Sequence, residues 1–132
     1  MLTFNHVALF VSNLDESTRF YTELLGCTVI TSYPMPNGGK ITYLRCDGGQ
    51  IELISTPGVT RPAEPPELGP GPGIRHIAFK TDDLETIAAR LQVAGVKFRS
   101  LPRLAGSGIG RLTFFYDPDF IQIEVVQRDT EW

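Results

Sequence analysis

Residues 5–11 read NHVALFV, and residues 74–80 read IRHIAFK. Each is a short apolar run with one histidine near its start, and these are the only two histidines of the chain. The residues after the two runs are also alike. After the first, Ser12 or Asn13 can cap a helix that carries Asp15 and Glu16 in its first turn, where acidic side chains suit the helix dipole. Leu14, Phe20, Leu24 and Leu25 form the expected buried stripe of this helix, and Gly26 is placed to end it in a left-handed conformation. Residues 27–33, 40–46 and 50–55 then read as strands, with Asn37-Gly38-Gly39 and Asp47-Gly48-Gly49 as hairpin turns. After the second run, a helix capped near Asp82 or Asp83 ends at Gly95, and strands are expected near Val96, over 111–116 and over 121–127.

Each half therefore reads β-α-β-β-β, an internal repeat. His6 and His76 are 70 residues apart, Leu14 and Leu84 70, Gly26 and Gly95 69, and Glu52 and Glu124 72. A unit this long, present twice, suggests two modules closing on a shared cleft rather than a solenoid. Between them, residues 57–73 (PGVTRPAEPPELGPGPG) hold six prolines and four glycines, a composition that neither a helix nor a central strand tolerates. The expected organisation is one domain over residues 1–132, with a first module of about 1–56, a linker of 57–73 and a second module of about 74–132.

The composition narrows the function classes. The chain has 132 residues, of which 42% are hydrophobic and 20% charged, enough apolar surface for one ordinary core. Twelve basic and fifteen acidic side chains leave a net charge of −3, with no basic run of the kind that binds phosphate backbones, so nucleic acid is not an expected partner. The longest apolar run, Val7 to Val11, is far short of the roughly twenty residues of a membrane span, and a cytoplasmic place is expected. Cys27 and Cys46 are too few and too far apart for a disulfide framework or a zinc ribbon, and both are expected to be buried, inert thiols.

Strand parity selects the chemistry, because alternate side chains face opposite ways. His6, Ala8 and Phe10 share one face, and Val7, Leu9 and Val11 share the face that packs on the helix. His76, Ala78 and Lys80 repeat the first set. Glu52 and Ile54 face away from the helix in the last strand of the first half, as do Gln122, Glu124 and Val126 in the second. A carboxylate among branched aliphatic neighbours is costly unless it is paired or binds a metal. His6, Glu52, His76 and Glu124 form a nitrogen and oxygen donor set suited to nickel, cobalt, manganese, iron or zinc. The alternative is that each His simply pairs with a Glu, or that the carboxylates are solvated.

With these residues placed, the sequence resembles the vicinal oxygen chelate superfamily of glyoxalase I, methylmalonyl-CoA epimerase, extradiol dioxygenases, fosfomycin-resistance transferases and bleomycin-binding proteins. The likeness rests on NHVALFV, LDESTRFYTELLG, QIELIS, GIRHIAFKTDDLETIAARLQVAGV and RLTFFYDPDFIQIEVV, and is strongest toward short bacterial glyoxalase I-like proteins. It implies an α+β fold in which two paired βαβββ modules form an open, eight-stranded, barrel-like cleft. It also implies a homodimer and one divalent metal ion held by His6, Glu52, His76 and Glu124, with no organic cofactor. The implied activity is that of a lyase or isomerase. In glyoxalase I a metal holds the oxygens of a glutathione hemithioacetal while a glutamate moves a proton between adjacent carbons. By position Glu124 is that base, and Glu52 is the opposing ligand or a second base. A carboxylate at Glu52 departs from the bacterial epimerases, which have an amide there, and exceeds what the dioxygenases and fosfomycin transferases need. The rival readings are a related epimerase or dioxygenase, or a metal-free protein that sequesters a small molecule.

Other signals are weaker. Gly106-Ser107-Gly108-Ile109-Gly110 is glycine-rich, but a strand rather than a helix follows it, so it reads as a flexible loop or lid and not a phosphate loop. Arg99, Arg103 and Arg111 flank it and can neutralise an anionic substrate, although solvated surface arginines are the commoner case. Phe120 replaces the glycine of the common DPDG turn, where it either lines a pocket or fills a local gap. Ser107 and Cys46 have no histidine left to activate them once both histidines bind metal, which disfavours nucleophilic catalysis.

Overall fold

Leu9 and Val11 lie buried while Ala8 and Phe10 are exposed, so the parity read from NHVALFV is the parity of the folded strand. The computed structural model describes residues Met1–Trp132, which divide into two units, Met1–Pro62 and Ala63–Trp132. The division falls inside the proline-rich segment.

In the first unit β1 (Val7–Phe10) leads to α1 (Leu14–Arg19), then to β2 (Thr28–Pro34), β3 (Lys40–Cys46) and β4 (Gly49–Ser55). The sheet order is β1-β4-β3-β2, with β1 parallel to β4 and the other pairs antiparallel. Asn13 caps α1, its side chain accepting from the Glu16 N–H at 3.0 Å. The expected stripe of α1 needs correction. Phe20–Leu24 forms a π turn that continues the helix, and its wider turn rotates the positions after it. Of the expected stripe Phe20 is buried, whereas Leu14, Leu24 and Leu25 are only half-buried, and Ser17 and Tyr21 are fully buried in their place. Gly26 follows at φ 76°, the left-handed conformation expected of it.

The second unit repeats the pattern with β5 (Ile77–Lys80), α2 (Leu84–Val93), β6 (Phe98–Leu104), β7 (Arg111–Tyr116) and β8 (Gln122–Gln127), in the order β5-β8-β7-β6. Again the first strand is parallel to the last. Asp83 caps α2 by accepting from Thr86 N–H at 3.1 Å, and the Thr86 hydroxyl first, then this backbone contact, hold its carboxyl below the ordinary value. Leu84, Leu91, Phe115 and Ile123 are fully buried, as Val11, Tyr21, Leu44 and Leu53 are in the first unit. The structure is thus α+β, built from two βαβββ modules. None of its helices is long and apolar enough to cross a membrane.

The cysteines also need correction. Cys27 and Cys46 are joined in a disulfide, with their Cα atoms 4.4 Å apart. Thr28 pairs with Arg45 across β2 and β3, so the residues just outside that pair, Cys27 and Cys46, stand opposite each other. They are buried as expected, but they are not thiols.

The glycine-rich segment after β6 is a hydrogen-bonded turn. Ala105 N–H donates to Gly110 O at 3.0 Å and Gly108 N–H to Ala105 O at 2.9 Å. A side chain at Gly110 would run into the Gln127 carbonyl and Arg128. The turn after β7 is closed by buried Asp117, which accepts from Asp119 N–H at 2.8 Å and Ile121 N–H at 2.9 Å. Phe120 adopts φ 63° in this turn, a conformation usually left to glycine. Its ring packs edge-on against Tyr116 and beneath the Lys97 ammonium, which answers the question raised by its place in the sequence in favour of local packing.

Candidate functional site

The parallel pairing of the first and last strands of each unit is what brings histidine and glutamate together. Ala8 pairs with Glu52, and Ala78 pairs with Glu124. His6 and His76 each sit just ahead of their strand, two residues before that alanine and on its face. His6 Nε2 lies 2.8 Å from Glu52 Oε2, and His76 Nε2 lies 3.1 Å from Glu124 Oε2. Of the four sequence-predicted ligands, the structure therefore brings together His6 with Glu52 in one unit and His76 with Glu124 in the other. The glutamate side chains are 11% and 15% exposed and the histidines 30% and 33%, so a ligand can reach the imidazole edges while the carboxylates are mostly enclosed.

This direct contact is the one expected if each histidine simply pairs with a glutamate. It is equally compatible with a shared ion. Two donors bound at about 2.1 Å and at a right angle are about 3 Å apart, the separation that each pair already has. Asn5 Oδ1 lies 2.5 Å from His6 Nδ1, on the far side of the ring. That arrangement is typical of imidazoles that use the other nitrogen for a metal. Each pair offers one imidazole nitrogen and one carboxylate oxygen, donor types that divalent ions accept.

The two pairs differ in what stands across the neighbouring strand. Tyr43 pairs with Glu52, its ring edge-on to His6 at 5.4 Å and stacked with Tyr33 at 6.4 Å. Phe114 holds the same position beside Glu124 and is 5.4 Å from His76. Glu52 thus has a phenol across the neighbouring strand, where Glu124 has a benzene ring. Burial, followed by the hydrogen bond and the negative charge of Glu52 and then by Tyr33, pushes the Tyr43 phenol up from 10.0 to about 12. Because the folded state favours the neutral phenol, its contribution is complete below the ordinary pKa and is lost as pH rises from 10 through about 12. We therefore expect stability to fall more steeply in that window for the native chain than for Tyr43→Phe. Denaturant midpoints measured on either side of pH 10 check this, and parallel pH profiles for the two proteins would contradict it.

Sequence reasoning missed Tyr43. The residue is visible in β3, but only the register of the hairpin places it beside Glu52. The flanking arginines occupy separate places. Arg111 pairs with Glu85 on the surface, Arg99 donates to Gln122 Oε1 at 2.6 Å, and Arg103 donates to Leu104 O at 3.1 Å. Ser107 Oγ accepts from Ile109 N–H at 3.3 Å within its own turn.

Proteins of known sequence or structure are similar to this chain over most of its length. Lactoylglutathione lyase of Schizosaccharomyces pombe is 29% identical over 94% of the chain, which spans 47% of that enzyme's length. The YwkD protein of Bacillus subtilis is 31% identical over 94% of this chain and 95% of its own. The crystal structure of a glyoxalase family protein from Enterococcus faecalis superposes with a TM-score of 0.76 at 28% identity, covering 94% of this chain and 96% of the other. A family model matches residues 3–125, from just before the first histidine to just past the last glutamate, and by that match the chain belongs to the Glyoxalase/Bleomycin resistance protein/Dioxygenase superfamily.

Proposed function

We propose that the chain is a divalent-metal-dependent lyase or isomerase of the glyoxalase I type. It would act by proton transfer beside a carbonyl or hemithioacetal of a small molecule, such as a glutathione or other thiol conjugate. The observation that carries this reading is the repeated pair, an imidazole Nε2 about 3 Å from a mostly enclosed carboxylate at the same position of both modules. His6, Glu52, His76 and Glu124 would hold one ion of nickel, cobalt, zinc, manganese or iron. When bound, such an ion supplies Lewis acidity that favours negative charge on a substrate oxygen.

The chain's own residues divide the remaining work. Glu124 takes the proton from the carbon beside that oxygen and returns it to the neighbouring carbon. Glu52 is a poorer candidate for this step, because a phenol, Tyr43, stands opposite it across β3 and β4 and offers its carboxylate a competing proton donor. His6 and His76 present Nε2 beside the two carboxylates and, being about one-third exposed, leave a path for substrate. A single domain formed from the two modules, a homodimeric assembly and a cytoplasmic place belong to the same proposal.

The test is conversion of the hemithioacetal of methylglyoxal and glutathione to its 2-hydroxy thioester, in the presence of each ion in turn. Turnover with at least one ion, abolished by chelator, is expected. No turnover with any of them would overturn the lyase reading.

A further inference from the structure

Beside His76, within the second unit, lies a cavity of about 410 Å³ whose wall carries three guanidinium groups, from Arg75, Arg99 and Arg103, and no carboxylate side chain. On a chain with a net charge of −3, such a local excess of positive charge is out of keeping with the rest. The arginines are held in place without being neutralised. Arg99 Nη1 donates to Oε1 of Gln122, a residue only 7% exposed. Arg103 lies over the Phe114 ring at 6.0 Å, and Arg75 Nη2 donates to Gly69 O and Gly71 O at 2.5 Å each, drawing the proline-rich segment to the rim. A guanidinium has five N–H donors, so each of the three keeps several for a ligand. The same wall contains Ser100, whose Oγ is buried with no hydrogen-bond partner, a state that a bound acceptor would relieve.

We infer that this cavity receives the anionic end of the substrate, a carboxylate or phosphate, with Arg99 and Arg103 as its principal ligands. The inference rests on Glu124 as the proton-transferring base and adds the substrate class. Gln122 and Glu124 share one face of β8 two residues apart, about 7 Å along a strand. The Arg99 guanidinium, anchored on Gln122, therefore marks where the anion sits relative to the reacting carbon. A substrate that fills both positions carries its negative group only a few bonds from the carbon that exchanges its proton.

The experiment is calorimetric titration of the metal-free protein with malonate and, separately, with inorganic phosphate. Saturable binding is expected, weakened about 10-fold or more by Arg99→Gln and by Arg103→Gln. Arg111→Gln, which removes an arginine of the same sheet that faces Glu85 and not the cavity, is expected to leave it unchanged. Tighter malonate binding assigns a carboxylate and tighter phosphate binding a phosphate. No saturation with either anion, or an equal loss in the Arg111 variant, overturns the inference. These arginines lie outside the four proposed ligands and the titration contains no metal, so its failure would leave the metal reading to stand or fall on metal content and turnover.

Discussion

Glu124→Gln yields a folded chain that has lost its turnover, by roughly a hundred- to ten-thousand-fold, the range expected when a positioned general base is removed. Glutamine keeps the length and shape of the side chain and an oxygen within reach of His76, so the β5–β8 pairing that includes Ala78 and Glu124 is undisturbed. What it cannot do is accept a proton from carbon. The measurement is the initial rate on the hemithioacetal, with circular dichroism as the check on folding. Glu52→Gln is the comparison. If Glu124 is the base, the Glu52 variant retains more of its rate when saturated with ion, because its deficit lies in holding the ion. Native-like turnover by Glu124→Gln would remove Glu124 from the chemistry. A larger loss in Glu52→Gln at saturating ion would exchange the two roles.

The second large effect is on stability. The Cys27–Cys46 disulfide closes a segment with a sequence separation of 19, for which loop-closure entropy predicts about 3 kcal/mol. For a chain of this size that is a fall in Tm of roughly 10 °C. The bond joins the entry of edge strand β2 to the exit of β3, and every residue of β2 is exposed, so little apolar burial within the unit compensates for its loss. Thermal unfolding with and without dithiothreitol, repeated on Cys27→Ser with Cys46→Ser, gives the number. Equal midpoints in all three samples would contradict it. The same samples bear on the expected cytoplasmic location, since disulfides persist mainly in oxidising compartments. A thiol count on protein kept from air after lysis reports whether the pair is oxidised where the chain works.

The contrast between these cysteines and the His–Glu pairs shows what the sequence could and could not yield. The repeat and the parity of NHVALFV and IRHIAFK placed both histidines and both glutamates on the face away from the helices, because side-chain alternation is a local property of a strand. The caps were legible to within one residue for the same reason, as Ser12 or Asn13 and as Asp82 or Asp83, and the second of each pair is the cap. Pairing across strands is not local. Nothing within 27–33 or 40–46 states that Cys27 faces Cys46 or that Tyr43 faces Glu52 across β3 and β4. Both follow from register, which the turns and the buried face fix together. The π turn escaped for a related reason, since LDESTRFYTELLG fits an ordinary helical stripe nearly as well, and burial of Tyr21 decides between them. The arginines were noticed as a group, but only their partners separate Arg99, anchored on buried Gln122, from Arg111, tied to Glu85 on the surface.

All the chemistry proposed for this site depends on two histidines and two glutamates holding one divalent ion. Elemental analysis decides the matter, on protein purified without chelator and again after incubation with nickel, cobalt, manganese, iron or zinc followed by desalting. We expect about one retained ion per chain, and a loss of that retention in His76→Gln, since a matched donor set couples affinity to the folded state. Retention of none of these ions by the native chain would contradict the four-ligand site, and with it the metal-dependent chemistry proposed for Glu124.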